Sequence, residues 1–156
     1  MVNNLSLVIV NESGILSQIT NLLTSKNFKI LNLSVNSTEI VNIFQLFLEI
    51  SGSKNEIDQI IKQLTKLIHV IEVKKIDQEN VIERQLMLVK IFCLPIKRTS
   101  LLEIANIFKA NILDISDESF IFELFGNSEK LLNFQKLLNN YGISIILKTG
   151  KIYIEK

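Results

Sequence analysis

The fold is decided by one short stretch near the start of the chain, LSLVIVNESGILSQI, residues 5–19. Residues 5–10 are apolar and rich in Leu, Val and Ile, which predicts a strand, and the run Asn11-Glu12-Ser13-Gly14 predicts a turn after it. Beyond the turn, apolar residues recur at helical spacing, at Ile15, Leu16, Ile19, Leu22 and Leu23. This spacing predicts an amphipathic helix, so the chain opens with a strand, a tight turn and a helix.

The rest of the first half continues with strands and a second helix. Residues 28–35 and 43–50 are predicted as two strands of a hairpin, and residues 70–76 as a last strand. Between them, Ser53 and Glu56 have the spacing of a capping box, which predicts the start of a helix. The predicted order is β-α-β-β-α-β.

The second half repeats this order. A strand over 84–94 ends at Pro95, Ser100 and Glu103 predict another capping box, and Asn127 predicts the cap of a last helix. The inward face of the helix after Ser100 is predicted at Leu101, Ile104, Ile107 and Phe108. Strands are predicted at 112–115, 120–125 and 143–147, with 152–154 as an extra edge strand.

The duplicated order predicts the α+β class, with two ferredoxin-like βαββαβ domains. Each has an antiparallel sheet with its helices on one face, and we place the domains at residues 1–77 and 78–156. The strands over 43–50 and 120–125 carry apolar residues on both faces. Since one face of such a sheet should be polar, we expect a second subunit to cover it.

Composition excludes several classes of function. The 156 residues include 17 Lys and Arg against 16 Asp and Glu, and this balance argues against binding of nucleic acid or anionic membranes. The RNA-recognition modules that share the βαββαβ order need exposed aromatic residues in a motif that is absent here. One Cys and one His exclude a disulfide framework and a Cys/His metal site. We therefore expect no metal and no nucleic-acid partner.

Targeting signals are also not evident in the sequence. No stretch approaches the length of a membrane span, and the start has no cationic segment that would precede a signal sequence. Abundant Ile, Asn and Lys, with only Arg84 and Arg98 as arginines, indicate a coding sequence rich in A and T. We expect the plastid stroma for an organelle-encoded chain and otherwise the bacterial cytoplasm.

Catalytic chemistry has little support in the sequence. His69 lies between two apolar residues with no nucleophile beside it, and Cys93 lies within an apolar run, so both are expected to be structural. Three acids, Asp114, Asp117 and Glu118, fit a hairpin turn better than a cation site. We expect no catalytic site and no cofactor on this chain.

A small-ligand site has better support, at the turn before the first helix. Free backbone N–H groups and the helix dipole favour a carboxylate at a helix N-terminus. Gly14 has no Cβ and allows a ligand to approach the backbone, and Asn11 offers a donor and an acceptor. An ordinary Asn-Ser-Gly turn explains the same residues equally well.

Several ordered blocks resemble the regulatory (small) subunits of acetolactate synthase, whose N-terminal half is an ACT domain. The blocks are VNESGILSQI at 10–19, IIKQLTKLI at 60–68, IERQLMLVKI at 82–91 and IFKANILDI at 107–115. Shorter matches follow in order at 126–130, 141–143 and 149–150. The resemblance covers essentially the whole chain.

The resemblance implies a non-catalytic subunit. Such subunits bind and activate the large catalytic subunit, which carries thiamine diphosphate, Mg and FAD, and they confer feedback inhibition by valine or another branched-chain amino acid. The resemblance also implies a homodimer through the ACT domains. It places the effector between two chains, at Asn11, Glu12, Ser13, Gly14, Ile15 and Leu16 of one chain and Lys29 and Ile30 of the other.

The chain departs from the family at the effector site. Lys29 stands where the family usually has Asn, and a lysine pairs with a carboxylate but repels an ammonium group. The turn around Asn36-Ser37-Thr38-Glu39 is also changed. Two other hypotheses are a stand-alone amino-acid-sensing ACT protein, which predicts ligand binding without an enzyme partner, and an RNA-binding domain.

Overall fold

A computed structural model describes all residues from Met1 to Lys156. The chain forms two compact units, Met1–Val81 together with Glu155–Lys156, and Ile82–Ile154. Each unit has the βαββαβ order.

The first unit is a four-stranded antiparallel sheet with two helices. Its elements are β1 (Val2–Val10), α1 (Ile15–Ser25), β2 (Lys29–Ser37), β3 (Ile43–Ser51), α2 (Lys54–Thr65) and β4 (Val70–Lys75). The strands lie in the order β2-β3-β1-β4, so β2 and β4 are the edges. This order is that of the ferredoxin-like fold that the sequence predicts.

The core of the first unit lies between the sheet and its helices. β1 and β3 each bury alternate residues, as expected for strands with one covered face. The buried apolar side chains come from both layers: Leu5, Leu7, Ile9, Leu46, Leu48 and Ile50 from the strands, and Ile15, Ile19, Leu23, Ile57, Ile60 and Leu64 from the helices. The helical residues recur at three- and four-residue steps, which places them on one face of each helix.

The second unit has the same plan with an additional strand. Its elements are β5 (Val81–Phe92), α3 (Arg98–Phe108), β6 (Asn111–Ile115), β7 (Ser119–Gly126), α4 (Ser128–Leu138), β8 (Ile143–Lys148) and β9 (Ile152–Glu155). The sheet order is β6-β7-β5-β8, and β9 pairs with β5 as the predicted extra strand. Phe120, Phe122 and Phe134 are fully buried, and the rings of Phe120 and Phe122 stack with centroids 5.5 Å apart.

Two of the predicted helix caps are confirmed. Ser53 and Glu56 form a complete capping box at the start of α2, in which the Ser53 backbone N–H donates to the Glu56 carboxylate at 2.7 Å. This hydrogen bond lowers the pKa of Glu56 below its ordinary value. At the start of α4, the Asn127 side chain accepts a hydrogen bond from the Lys130 N–H at 3.0 Å.

The predicted start of α3 is wrong. Pro95 begins a short 3-10 helix, Pro95–Lys97, that runs directly into α3 at Arg98, so Ser100 lies inside the helix and caps nothing. Proline has a fixed φ that suits the first position of a helix. The helical segment therefore starts before Ser100, the residue at which the capping-box spacing predicts the start.

The predicted inward face of α3 is also wrong at one position. Ile107 is 75% exposed, whereas the neighbouring Ala105 is buried. The buried stripe runs through Leu101 and Ala105, and Phe108 continues it at the next helical step. A small alanine, rather than a large apolar residue, marks the covered face here.

No helix in the structure combines the length and the apolar content that a membrane crossing requires.

Candidate functional site

The loop between β1 and α1 is held by backbone hydrogen bonds. The Asn11 N–H donates to the Asn42 carbonyl at 2.7 Å, and the Glu12 N–H donates to the Val10 carbonyl at 2.8 Å. The Ile15 N–H donates to the Glu12 carbonyl at 3.2 Å, which closes the turn into α1. These bonds fix the loop without using the side chains of Asn11, Glu12 or Ser13.

Gly14 makes this turn possible. Its φ is 85°, in the left-handed region, where most residues other than glycine and asparagine are strained. No other part of the protein lies within 4 Å of the position that a Cβ would occupy. Gly14 is therefore needed for the backbone conformation, and the space beside it is open.

No side chain of the protein caps the N-terminus of α1 or offsets the positive end of its helix dipole. Gly14 is its N-cap without a side-chain hydrogen bond, and no acidic residue lies in its first turn. By contrast, α2 has Ser53 as a cap and Glu56 in its first turn, and α4 has Asn127 and Glu129. The first backbone N–H groups of a helix lack intrahelical acceptors and carry partial positive charge, so the start of α1 can accept a carboxylate.

The predicted site residues around this helix end are accessible, with one exception. Asn11, Glu12, Ser13 and Gly14 are exposed, and Leu16 is 40% exposed. Ile15 is buried in the core, so its side chain fixes the helix and only its backbone faces the loop.

The other two predicted site residues, Lys29 and Ile30, lie far from this loop within the same chain. Val10 pairs with Ile43 at one end of β3, whereas Lys29 pairs with Ser51 at the other end. At about 3.3 Å per residue, the two groups are about 26 Å apart along β3. One chain therefore does not bring all eight residues together.

Asn42 also supports the loop, and it is not among the residues predicted from sequence. It has a φ of 61° at the end of the β2–β3 turn, and its carbonyl accepts the Asn11 N–H. Asparagine tolerates the left-handed region better than most residues, so an Asn directly before a strand is the available signal.

Two of the residues considered for other chemistry lie next to strand ends, His69 directly before β4 and Cys93 directly after β5. Cys93 is buried among apolar side chains, and the His69 carbonyl accepts the Val10 N–H at 2.8 Å. Nowhere in the chain do three or more His, Cys, Asp or Glu side chains gather closely enough to hold a metal ion.

Two protein families match this chain, one after the other along its length. Residues 5–72 match a family described as the AHAS small subunit-like ACT domain. Residues 84–156 match a family described as the small subunit of acetolactate synthase.

Comparison with individual proteins gives full-length relatives. The chain is 35% identical over 152 residues to a probable acetolactate synthase small subunit of Archaeoglobus fulgidus, covering 97% of this chain and 95% of that protein. It is 33% identical over 147 residues to the acetolactate synthase small subunit of Bacillus subtilis, covering 94% and 86%. The crystal structure of the acetolactate synthase small subunit from Thermotoga maritima superposes with a TM-score of 0.89 at 28% identity, covering 100% of this chain and 98% of that chain. The chain belongs to the acetolactate synthase small-subunit family, as a regulatory and not a catalytic subunit.

Proposed function

We propose that this chain binds the catalytic subunit of acetolactate synthase, raises its turnover and transmits feedback inhibition by valine or a related branched-chain amino acid. The observation that carries the feedback part is the start of α1, an exposed helix end with neither a side-chain cap nor an acidic residue in its first turn. Thiamine diphosphate, Mg and FAD belong to the catalytic subunit in this proposal. This chain contributes the sensor.

The effector site needs two copies of the chain. β2 is an edge strand nine residues long, and an edge strand carries a row of unpaired N–H and C=O groups. Along it, Ile30, Leu31 and Val35 are 36%, 51% and 38% exposed. A second copy can pair its β2 antiparallel to this edge and extend the sheet.

Antiparallel pairing of the two β2 strands also explains the separated site residues. The Lys29 end of β2 lies at the Ser51 end of β3, and the Ser37 end of β2 pairs with Phe44, next to the strand end where β1 leads into its loop. A two-fold axis across β2 places the Lys29 end of the second copy beside the Ser37 end of the first. Lys29 and Ile30 of the second copy thereby approach the loop of Asn11 and Gly14.

The chemistry of this composite site suits an α-amino acid. The N–H groups of the first turn of α1 bind the carboxylate, and the Asn11 side chain offers an acceptor for the ammonium group. Leu16 and Ile30 are the exposed apolar residues of the predicted set, and they would contact a branched aliphatic side chain. In this arrangement Lys29 of the second copy lies closer to the ammonium group than to the carboxylate, so its positive charge lowers the affinity relative to a neutral residue at this position.

Isothermal titration calorimetry of the purified chain with valine, leucine and isoleucine tests the effector site. We expect saturable heat with at least one of them and no heat with an amino acid of opposite chirality. Absence of heat with all three at millimolar concentration would contradict the sensor and leave an activator without feedback. Heat with the chain, but no complex with the catalytic subunit, would indicate a stand-alone sensor.

A further inference from the structure

The turn between β2 and β3 contains a residue in a backbone conformation that most residues avoid. Asn42 has a φ of 61°, in the left-handed region, and its side chain is exposed. The two apolar residues before it, Ile40 and Val41, are 60% and 85% exposed. Packing against the core therefore does not hold this turn in place.

Hydrogen bonds within the turn hold it instead. The Ile43 N–H donates to the Ile40 carbonyl at 3.1 Å. This bond closes a β-turn with Val41 and Asn42 at its centre. The Thr38 hydroxyl donates to the Ile43 carbonyl at 2.8 Å and accepts from the Ile40 N–H at 3.2 Å. A β-turn with a positive φ at its third position takes Gly or Asn there, so the identity of residue 42 determines whether this turn forms without strain.

Asn42 is joined to the loop between β1 and α1 by a backbone hydrogen bond. Its carbonyl accepts the Asn11 N–H at 2.7 Å, one residue beyond the last pair of the β1–β3 ladder, Val10 with Ile43. On the other side of β1, which lies between β3 and β4, the Val10 N–H donates to the His69 carbonyl at 2.8 Å. The loop therefore leaves the sheet from a segment that is held on both sides.

The two carbonyls that hold this segment differ in what they require of their own residue. The φ of His69 is not positive, so most residues can present a carbonyl at that position. Asn42 presents its carbonyl from the left-handed region, which strains β-branched residues most. A substitution at residue 42 can therefore release the Asn11 N–H, even though only the backbone of residue 42 takes part in the bond.

We propose that Asn42 is a positioning residue for amino-acid recognition, which acts through the backbone of Asn11. The inference rests on the proposed function, in which the Asn11 side chain accepts a hydrogen bond from the ligand ammonium and the N–H groups of α1 bind the carboxylate. Asn42 fixes the first residue of the loop. The start of α1 is fixed separately, by the left-handed Gly14 and by the bond from Ile15 to Glu12. Asn42 therefore controls the ammonium end of the site more than the carboxylate end.

Substitution at residue 42 acts on the protein before the ligand binds. With a β-branched residue there, the turn relaxes to a negative φ in the free protein, and the bond to Asn11 is lost. Binding must then restore the left-handed turn, so the cost of that conformation reduces the affinity for the ligand. The left-handed conformation of a residue other than glycine costs enough to raise a Kd about tenfold.

Two ligands separate this role from a general loss of structure. 3-Methylbutanoate has the carboxylate and the branched chain of valine but no ammonium group. In calorimetry of the full chain, we expect Asn42→Val to raise the Kd for valine about tenfold and to leave the Kd for 3-methylbutanoate near its wild-type value. Asn42→Gly adopts the left-handed conformation without strain and should restore the wild-type Kd for valine. Val41→Ala changes the same turn at a residue whose φ is not positive, and it should leave both values unchanged.

Hydrogen exchange supplies a readout that needs no ligand. The Asn11 N–H should exchange faster in Asn42→Val than in the wild-type chain, whereas the Val10 N–H, which donates to His69, should keep its protection. Asn42→Gly should restore the protection of the Asn11 N–H.

Three results would overturn the inference while leaving the proposed function intact. They are an unchanged Kd for valine in Asn42→Val, an equal loss of affinity for valine and 3-methylbutanoate, and an Asn11 N–H that stays as protected as in the wild-type chain. Absence of valine binding to the wild-type chain is a different outcome. It would contradict the proposed function itself and, with it, the role of Asn42.

Discussion

In the proposed effector site, Lys29 is the residue that bears most directly on recognition of the ligand. It is exposed at the start of β2, where a neutral side chain would impose no charge on the ligand. An amino-acid effector carries both charges, so the lysine attracts one end of the ligand and repels the other. The balance depends on which end lies closer, and our proposal puts the carboxylate at α1 and the ammonium toward the second copy.

We therefore expect Lys29→Asn to strengthen valine binding. Removing a like charge about 4 Å from the ammonium is worth about 1 kcal/mol in water, or about fivefold in Kd. Calorimetry of the variant measures it, and Lys136→Asn, the same change on exposed α4, is the control. A Kd that is unchanged or weaker in Lys29→Asn would place Lys29 on the carboxylate instead.

Ser53 and Ser100 have similar sequence contexts, because each precedes a Glu by three residues. Their structural roles differ. Ser53 caps α2, whereas Ser100 lies inside α3. Ser53→Ala is expected to lower the free energy of unfolding by about 1 kcal/mol. Ser100→Ala should change it by less than about 0.5 kcal/mol. Urea unfolding of both variants measures the difference, and equal losses would contradict the assignment of the caps.

The Ser53 cap also has a defined pH dependence. The pKa of Glu56 is lowered in the folded protein, first by the Ser53 backbone hydrogen bond and then by its side chain. A carboxyl group with a depressed folded pKa contributes stability that is complete above its unfolded pKa and is lost as the pH falls through the folded pKa. The stabilisation by the capping box is accordingly expected to fade in acid.

Among the elements, the two edge strands of the first sheet differ in how well a second copy of the chain could pair with them. β2 is nine residues long and exposes several apolar side chains, whereas β4 is six residues long and ends in Lys74 and Lys75. The Lys74 ammonium pairs with Glu72 at 3.0 Å, and charged residues on an edge strand oppose further pairing. We therefore assign self-pairing to β2.

Hydrogen exchange distinguishes the two edges. We expect alternate backbone N–H groups of β2 to be protected at high protein concentration and to exchange faster on dilution, because a second copy accepts their hydrogen bonds. The outward N–H groups of β4 should exchange quickly at every concentration. Equal exchange at both edges, independent of concentration, would contradict pairing through β2.

The elements also show why some features were predictable from sequence. The starts of α2 and α4 depend on local side-chain hydrogen bonds, which spacing reveals. The start of α3 depends on Pro95 beginning a 3-10 turn, and its C-terminal end depends on Lys109 in a left-handed conformation, with φ 57°. Lysine rarely adopts the left-handed conformation, so a lysine at this position does not signal the end of a helix in the sequence.

At the scale of the whole molecule, the loop before α1 was predictable and the complete effector site was not. Residues 11–16 are contiguous, so their turn chemistry and the helix end are visible in the sequence. In the proposed site, Lys29 and Ile30 reach the loop only through a second copy, and the residues of one chain do not determine how two copies pair. Their assignment comes from resemblance to a family, and the strand register supplies the physical reason that one chain alone is insufficient.

Regulation of the acetolactate synthase catalytic subunit by this chain is measured most directly through turnover. Purified chain is titrated into the catalytic subunit loaded with its cofactors, with and without valine. We expect turnover to rise to a plateau at a fixed ratio of the two chains, and valine to lower that plateau. Turnover that stays at the level of the catalytic subunit alone at every ratio, with no complex on copurification, would contradict it.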